Sequence, residues 1–148
     1  MERFDTFTVL ISKISRCIRK IKSEEMKDFG LQGAHVSCLY YLYRANGTLT
    51  AKELCDLCEE DKAAVSRSID ALEKDGYITC ESKTDKRYKS PLTLTQKGVK
   101  VGKDIAERTD KFVNLGGFGI DDEKRKVLYD CLFVISDNLQ KECDKYGE

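Results

Sequence analysis

The fold is decided by residues 50–76, which read TAKELCDLCEEDKAAVSRSIDALEKDG. The first four residues have the capping-box pattern, in which the side chain of Thr50 accepts from the amide of Glu53 while the glutamate carboxylate reaches back. Asp61 is a favourable N-cap for a second helix, and Gly76 suits its end. Residues 50–76 therefore predict two short helices joined by an acidic turn, which is the arrangement of a helix-turn-helix.

The second of these helices, predicted at about residues 62–74, has two different faces. Its inner stripe consists of Val65, Ser68, Ile69 and Leu72, and its outer face consists of Ala63, Ser66, Arg67 and Asp70. In a helix-turn-helix the second helix enters the major groove of DNA and its outer face contacts base edges. Arg67 can donate two hydrogen bonds to a guanine, Ser66 can reach a base or a phosphate, and Ala63 can touch a thymine methyl.

A two-stranded hairpin, or wing, is predicted directly after this helix, with strands at residues 77–81 and 91–94 and a polar loop between them. The loop contains four cations, Lys83, Lys86, Arg87 and Lys89, and one acid, Asp85. These charges give a surplus of three positive charges within seven residues. An arginine at the tip of a hairpin can enter the minor groove, where the negative potential is deepest. Asp85 is placed to brace the guanidinium of Arg87.

Two further groups complete the predicted DNA-binding surface. The hydroxyl of Thr50 and the amides at the start of its helix suit a phosphate. Lys62, at the start of the helix predicted at residues 62–74, is expected to add a further cationic contact.

The terminal segments predict long helices that need a partner. The first helix carries a seam at alternating spacings of three and four, formed by Phe4, Phe7, Ile11, Ile14, Ile18 and Ile21. A fifth helix is expected from Thr95 to about residue 113, a glycine-rich break at 114–119, and a sixth helix after Asp121. We therefore predict a winged core at residues 31–95 and dimerisation helices at 1–30 and 96–148, buried against each other and against a second copy of the chain.

Composition agrees with a folded, mainly α-helical protein that carries a small β-hairpin. The 148 residues are 35% charged and 41% hydrophobic, and the formal net charge is zero. No apolar run approaches the ~18 residues of a membrane helix, and the N-terminus does not resemble a signal peptide. Seven cysteines without an export signal indicate a reducing, cytoplasmic location. The zero net charge counts mildly against nucleic acid, so the prediction depends on local charge.

The motifs resemble those of the multiple-antibiotic-resistance regulator (MarR) family in order and spacing. The matching stretches are residues 47–54 (GTLTAKEL), 61–76 (DKAAVSRSIDALEKDG), 85–87 (DKR) and 92–98 (LTLTQKG). The resemblance implies a winged helix-turn-helix whose first, fifth and sixth helices form a homodimer. It also implies that Arg87 is the minor-groove arginine, Asp85 its brace, and Ser66 and Arg67 base or phosphate contacts. Tyr88 stands where wings of this family often carry a second arginine.

Weaker signals concern cysteine and aromatic residues. Cys17 lies among Arg16, Arg19 and Lys20, which favour a thiolate, and one branch of the family senses hydroperoxides through an early cysteine. Cys17 also continues an apolar stripe, so a core position is the alternative. Cys55-x-x-Cys58 lacks the second pair that zinc needs and is interpreted as part of the core.

A further helix is predicted at residues 35–44, between the first helix and the helix-turn-helix. Three of its side chains suggest a ligand pocket. His35, Tyr40 and Tyr43 can line a pocket for a small-molecule effector, although a lone histidine at a helix start is more often structural. No catalytic constellation, cofactor motif or metal motif is found, so an enzyme is not predicted.

The main prediction is a repressor that binds a pseudo-palindromic operator in double-stranded DNA and is relieved by a small-molecule effector. Three alternatives stay open: a redox-sensing regulator that acts through Cys17, a winged-helix module that binds another protein and no DNA, and a thiol enzyme.

Overall fold

The structure, a computed structural model, describes residues 3–31, 33–46, 48–58, 61–81 and 89–146. Within these ranges the helices are α1 (Arg3–Glu25), α2 (Gly33–Arg44), α3 (Ala51–Leu57), α4 (Lys62–Lys74), α5 (Gln96–Gly116) and α6 (Asp122–Cys143). The strands are β1 (Thr48–Thr50), β2 (Ile78–Cys80) and β3 (Pro91–Leu94). The predicted fold class, mainly helical with a small antiparallel sheet, is confirmed.

The chain divides into two compact units, Met1–Phe112 and Val113–Glu148. The predicted winged core, residues 31–95, lies inside the first unit, together with α1 and the larger part of α5. The second unit contains the end of α5 and all of α6.

The sheet has one more strand than the predicted hairpin. Its order is β1-β3-β2, and both pairings are antiparallel. Thr50 pairs with Pro91, and Ile78 pairs with Leu94. A segment as short as β1 becomes a strand only through its partner β3, some forty residues away in the chain, so no local pattern could reveal it.

The core of the first unit lies between α2, α3, α4 and the sheet. Its most deeply buried side chains are Val36, Cys38, Leu39, Leu42, Leu54, Val65, Leu72, Ile78, Leu92 and Ile105. The predicted inner stripe of α4 is confirmed, since Val65, Ser68, Ile69 and Leu72 are all buried. These residues fix α4 against the core with its opposite face turned to solvent.

The junction between β3 and α5 depends on a close backbone approach. The hydroxyl of Thr95 donates to the carbonyl of Gly76 (2.7 Å) and accepts from the amide of Gly98 (3.1 Å). A Cβ added at Gly98 would lie 2.0 Å from the backbone oxygen of Tyr77. Only glycine therefore lets the first turn of α5 lie this close to the segment that precedes β2.

The terminal helices leave much apolar surface exposed. On α1 the exposed side chains are Val9, Leu10, Ile11, Ile14, Ile18 and Ile21, and in α6 no residue is buried. The predicted break at residues 114–119 starts too early, because α5 continues to Gly116 and the amide of Gly117 still donates to the carbonyl of Val113 (3.0 Å). Phe118, in the turn that follows, is 90% exposed.

Candidate nucleic-acid interface

The start of α4 is fixed by its cap. The Asp61 carboxylate accepts from the amide of Ala64 at 2.8 Å, as predicted. Ala63, Ser66 and Arg67 then lie on the exposed face of the helix, and Asp70 is exposed one turn later. A short hydroxyl side chain and a guanidinium, flanked by a methyl group, thus project from one rigid surface, which is the chemistry needed to contact base edges and phosphates.

The capping box at the start of α3 is complete. The Thr50 hydroxyl accepts from the amide of Glu53 (3.2 Å), and Oε2 of Glu53 accepts from both the Thr50 amide (2.7 Å) and its hydroxyl (2.8 Å). These bonds from Thr50 hold the pKa of Glu53 below its usual value. The carboxylate occupies the start of the helix, so the Thr50 hydroxyl serves the cap first, and its contact with a phosphate stays a prediction.

The sheet brings the base of the wing next to the helix-turn-helix. Pro91, the first residue of β3, pairs with Thr50, the residue that caps α3. Lys89 is exposed two residues before Pro91. The remaining predicted wing residues, Lys83, Asp85, Lys86 and Arg87, lie outside the described residues.

The three predicted pocket residues, His35, Tyr40 and Tyr43, lie along one helix, and their role as an effector site stays a prediction. All are half-buried on α2, where the Tyr40 ring meets the Tyr41 ring edge-on at 5.2 Å between centroids and Tyr43 packs against Gly102. An open cleft of about 410 Å³ is lined by Tyr43, Arg44, Asn46, Leu94 and Val99. His35 and Tyr40 are not among the described residues that line it. Sequence patterns could not identify this cleft, since its walls come from three separate elements.

The cysteines divide into exposed and buried groups. Cys17, on α1, is exposed, whereas Cys58 is buried and Cys55 half-buried in α3. No disulfide bond joins any of the seven cysteines, all of which lie in described ranges. In the part of the chain that the structure describes, no group of three or more His, Cys, Asp or Glu side chains could hold a metal ion.

Comparison with known proteins identifies the family. A family model for the MarR family matches residues 29–87. The HTH-type transcriptional regulator YwoH of Bacillus subtilis is 32% identical over 102 residues, which are 69% of this chain and 73% of that protein. The chain belongs to the MarR family of transcriptional regulators.

Solved MarR structures show the same fold. A MarR protein from Peptoclostridium difficile is 26% identical, with a TM-score of 0.78 over 94% of this chain and 90% of the other. A MarR family regulator from Listeria monocytogenes, solved with a 26-mer DNA, is 23% identical, with a TM-score of 0.76 over 89% and 87% of the two chains. This MarR protein is therefore a DNA-binding transcriptional regulator with a winged helix-turn-helix. None of the described helices is both long enough and apolar enough to cross a membrane.

Proposed function

We propose that this MarR protein binds a pseudo-palindromic operator as a homodimer and represses transcription until a small-molecule effector releases it. Each copy places α4 in a major groove and the loop at residues 82–90 against the neighbouring minor groove. The contacts are made by Lys62, Ala63, Ser66, Arg67 and Lys89, by Lys83, Lys86 and Arg87 with Asp85 as brace, and by Thr50 at a phosphate. In this proposal the protein acts by binding and not by catalysis, and it does so in the cytoplasm.

The observation that carries this proposal is the division of α4 into two faces. Val65, Ile69 and Leu72 fix the helix in the core, so the exposed face with Ser66 and Arg67 is held rigidly toward solvent. Rigid presentation lowers the entropy cost of binding. The Listeria monocytogenes relative, solved with DNA, supports the same use of this fold.

The dimer is supported by apolar surface on the terminal helices. Leu10 and Ile14 of α1 are 51% and 52% exposed, and Phe133 and Val134 of α6 are 67% and 60% exposed. Soluble monomers rarely leave long apolar stripes of this kind in water. Two copies related by a two-fold axis would read two half-sites, which accounts for a pseudo-palindromic operator.

The proposal of a small-molecule effector is supported by the half-buried tyrosines of α2. Tyr43 lines the open cleft beside Arg44, and Tyr40 lies one turn earlier on the same helix. Aromatic rings with a few polar groups are typical of small-molecule sites. His35 lies two turns before Tyr43, so an effector that touches all three residues would need to extend along α2.

The experiment is a fluorescence-anisotropy titration with a duplex selected from a randomised library. Wild-type protein should lose affinity steeply as salt rises, because phosphate contacts release counterions. Arg67→Ala should weaken binding by about 1–3 kcal/mol. Lys100→Ala removes the same charge from the exposed side of α5 and serves as the matched control, with binding close to wild type. If no duplex is bound even at low salt, the module that binds only protein is favoured.

A second candidate, redox control through Cys17, is supported by the exposure of that thiol on α1. Hydroperoxide treatment should then release the operator from wild-type protein and not from Cys17→Ser. Equal release from both proteins would eliminate Cys17 as the sensor.

A further inference from the structure

One arginine of α5 joins the end of α1 to the connection that leads into α2. Nη1 of Arg108 donates to the backbone carbonyl of Glu25 and lies 3.5 Å from Oδ2 of Asp28. Its guanidinium carbon lies 4.8 Å from the centre of the Phe29 ring. A single side chain of α5 thus contacts the end of α1 and the short segment that connects α1 to α2.

These contacts are ones that arginine makes well. Glu25 is the last residue of α1, where backbone carbonyls lack helical partners and the helix dipole is negative. A planar guanidinium can donate to such a carbonyl while its face stacks on an aromatic ring. Phe29 in turn packs against the hydrophobic core. The side chain of Arg108 therefore reaches from α5 to a helix end and to a ring anchored in the core.

A second ion pair joins α5 to the end of α2, and here α5 supplies the anion and α2 the cation. Nη2 of Arg44 donates to Oδ1 of Asp110, and the Arg44 guanidinium lies 5.4 Å from the centre of the Tyr40 ring. Gly102 of α5 also lies close to Tyr43 of α2: a Cβ added at Gly102 would lie only 2.9 Å from Cβ of Tyr43. The two charged ties and this close approach hold α5 against the α1–α2 region at separate points.

We propose that Arg108 is a positioning residue for operator binding, one that acts through Glu25 and Phe29 to hold α5 and α1 in a fixed orientation relative to the core that carries α4. The inference rests on the proposed function, in which α1 and α5 belong to the dimer. An operator has two half-sites at a fixed spacing and rotation. Both copies of α4 must therefore be held in one orientation relative to the dimer helices.

The individual contacts differ in importance. The side chain of Asp28 is 79% exposed, whereas that of Arg108 is 34% exposed. Exposed ion pairs contribute little because water screens them. The bond to the Glu25 carbonyl and the stacking on Phe29 should therefore carry the effect, and Asp28→Asn is a natural control.

The test compares Arg108→Met, which keeps an apolar stem, with Asp28→Asn and with wild type. The probes are the selected operator, the same duplex with one half-site scrambled, and the operator with one extra base pair between the half-sites. The insertion rotates one half-site by about 35° relative to the other. If only about a tenth of the Arg108→Met dimers hold both cores correctly, the Kd for the operator rises about tenfold.

Arg108→Met should bind the single half-site within about twofold of wild type, because that contact does not depend on relative orientation. It should also lose less affinity than wild type when the base pair is inserted. Asp28→Asn should behave as wild type with all three probes. Arg108→Lys keeps the charge without the planar fork, so its affinity for the operator should fall between those of wild type and Arg108→Met. If a thermal melt shows Arg108→Met to be unfolded, Arg108→Lys is compared with wild type in its place.

Equal losses on the operator and the single half-site, or unchanged sensitivity to the inserted base pair, would overturn the positioning role. A wild-type protein that binds both duplexes equally would instead contradict the dimeric operator complex itself. Sedimentation of each variant at the concentrations used shows whether the dimer is retained.

Discussion

The winged core and the terminal helices differ in how far they expose apolar side chains of the same type. In the core, Leu39, Leu54 and Leu72 are at most 1% exposed, whereas Leu10 of α1 and Leu139 of α6 are 51% and 54% exposed. Both regions are amphipathic helices, so periodicity alone does not distinguish them. The difference indicates that the core is completed within one chain, whereas in the proposed dimer the terminal helices gain much of their stability from the second copy.

The largest expected effect is a cavity in the core. Leu72→Ala should lower the free energy of unfolding by about 2–5 kcal/mol, since a fully buried leucine loses both its transfer free energy and its packing contacts. The loss should be the same at all protein concentrations, which urea unfolding at two concentrations can show. Leu10→Ala in α1 makes the same change at an exposed leucine and is the control, with a smaller expected loss. A greater loss of unfolding free energy from Leu10→Ala than from Leu72→Ala would contradict the proposed difference between the two regions.

A charge in the seam of α1 should act on the terminal helices instead. Ile14 is 52% exposed in the single chain, and in the proposed dimer Ile14→Asp would bury an unpaired carboxylate. The expected cost is about 2 kcal/mol of association free energy, or roughly a 30-fold rise in the dimer dissociation constant.

Analytical ultracentrifugation over a dilution series measures this constant directly. Ser12→Asp, two positions earlier on the exposed surface of α1, adds the same single negative charge and is the control. An Ile14→Asp protein that sediments as wild type would place the dimer contact elsewhere.

What the sequence could predict follows the same division. The caps at Thr50 and Asp61 and the acidic helix start at Asp121 are local patterns, and the structure has all three. The inner stripe of α4 was likewise predictable, because the core packs one face of a helix whose start is fixed by the Asp61 cap. Local information was therefore enough for most of the winged core.

The remainder needed information that is distant along the chain. The strand β1 exists only through its pairing with β3, and the contact of Arg108 with Glu25 joins residues 83 positions apart. Gly116 resembles a helix terminator in the sequence, yet α5 includes it. The predicted DNA contacts came from positions on α4, at Thr50 and in the wing; those on α4, Thr50 and Lys89 lie in described ranges, and they stay predictions.

Substitutions in the predicted wing loop provide a test of DNA binding that should leave the stability of both regions unchanged. Arg87→Ala should weaken operator binding by about 1–3 kcal/mol if the guanidinium enters a groove. Lys89→Ala should cost less and act nearly equally on all sequences, as a phosphate contact does. Asp85→Ala should reproduce part of the Arg87 loss, since the unbraced side chain must be ordered on binding.

Anisotropy with the operator, alongside a thermal melt, separates binding from folding in these three variants. The sequence predicts a polar loop at residues 82–90, and such a loop would contribute little to a core, so the melts should match wild type. An Arg87→Ala protein that binds as tightly as wild type would remove the wing from the interface.

The smallest expected effect compares one helix cap from each region through its pH dependence. Glu53 caps α3 in the core, and Asp121 caps α6 in the second unit. The pKa of Glu53 is lowered by hydrogen bonds from Thr50, and the pKa of Asp121 by those from Lys124. A lowered pKa means that each carboxylate stabilises the folded state above its unfolded pKa, near 4, and that this contribution is lost as pH falls through the folded value.

Glu53→Gln and Asp121→Asn keep the shape of each cap and remove the titration. Each variant should therefore melt slightly below wild type at pH 7, and the gap should close as pH falls below about 4. If the core folds by itself, Glu53→Gln should shift its melt equally in dilute and concentrated protein. Asp121→Asn should shift a melt that also depends on concentration, because in the proposed dimer α6 is stabilised by the second copy. A gap that stays constant down to pH 3 would show that neither carboxylate titrates with folding, and identical concentration dependence in both variants would mean that the two regions unfold as one.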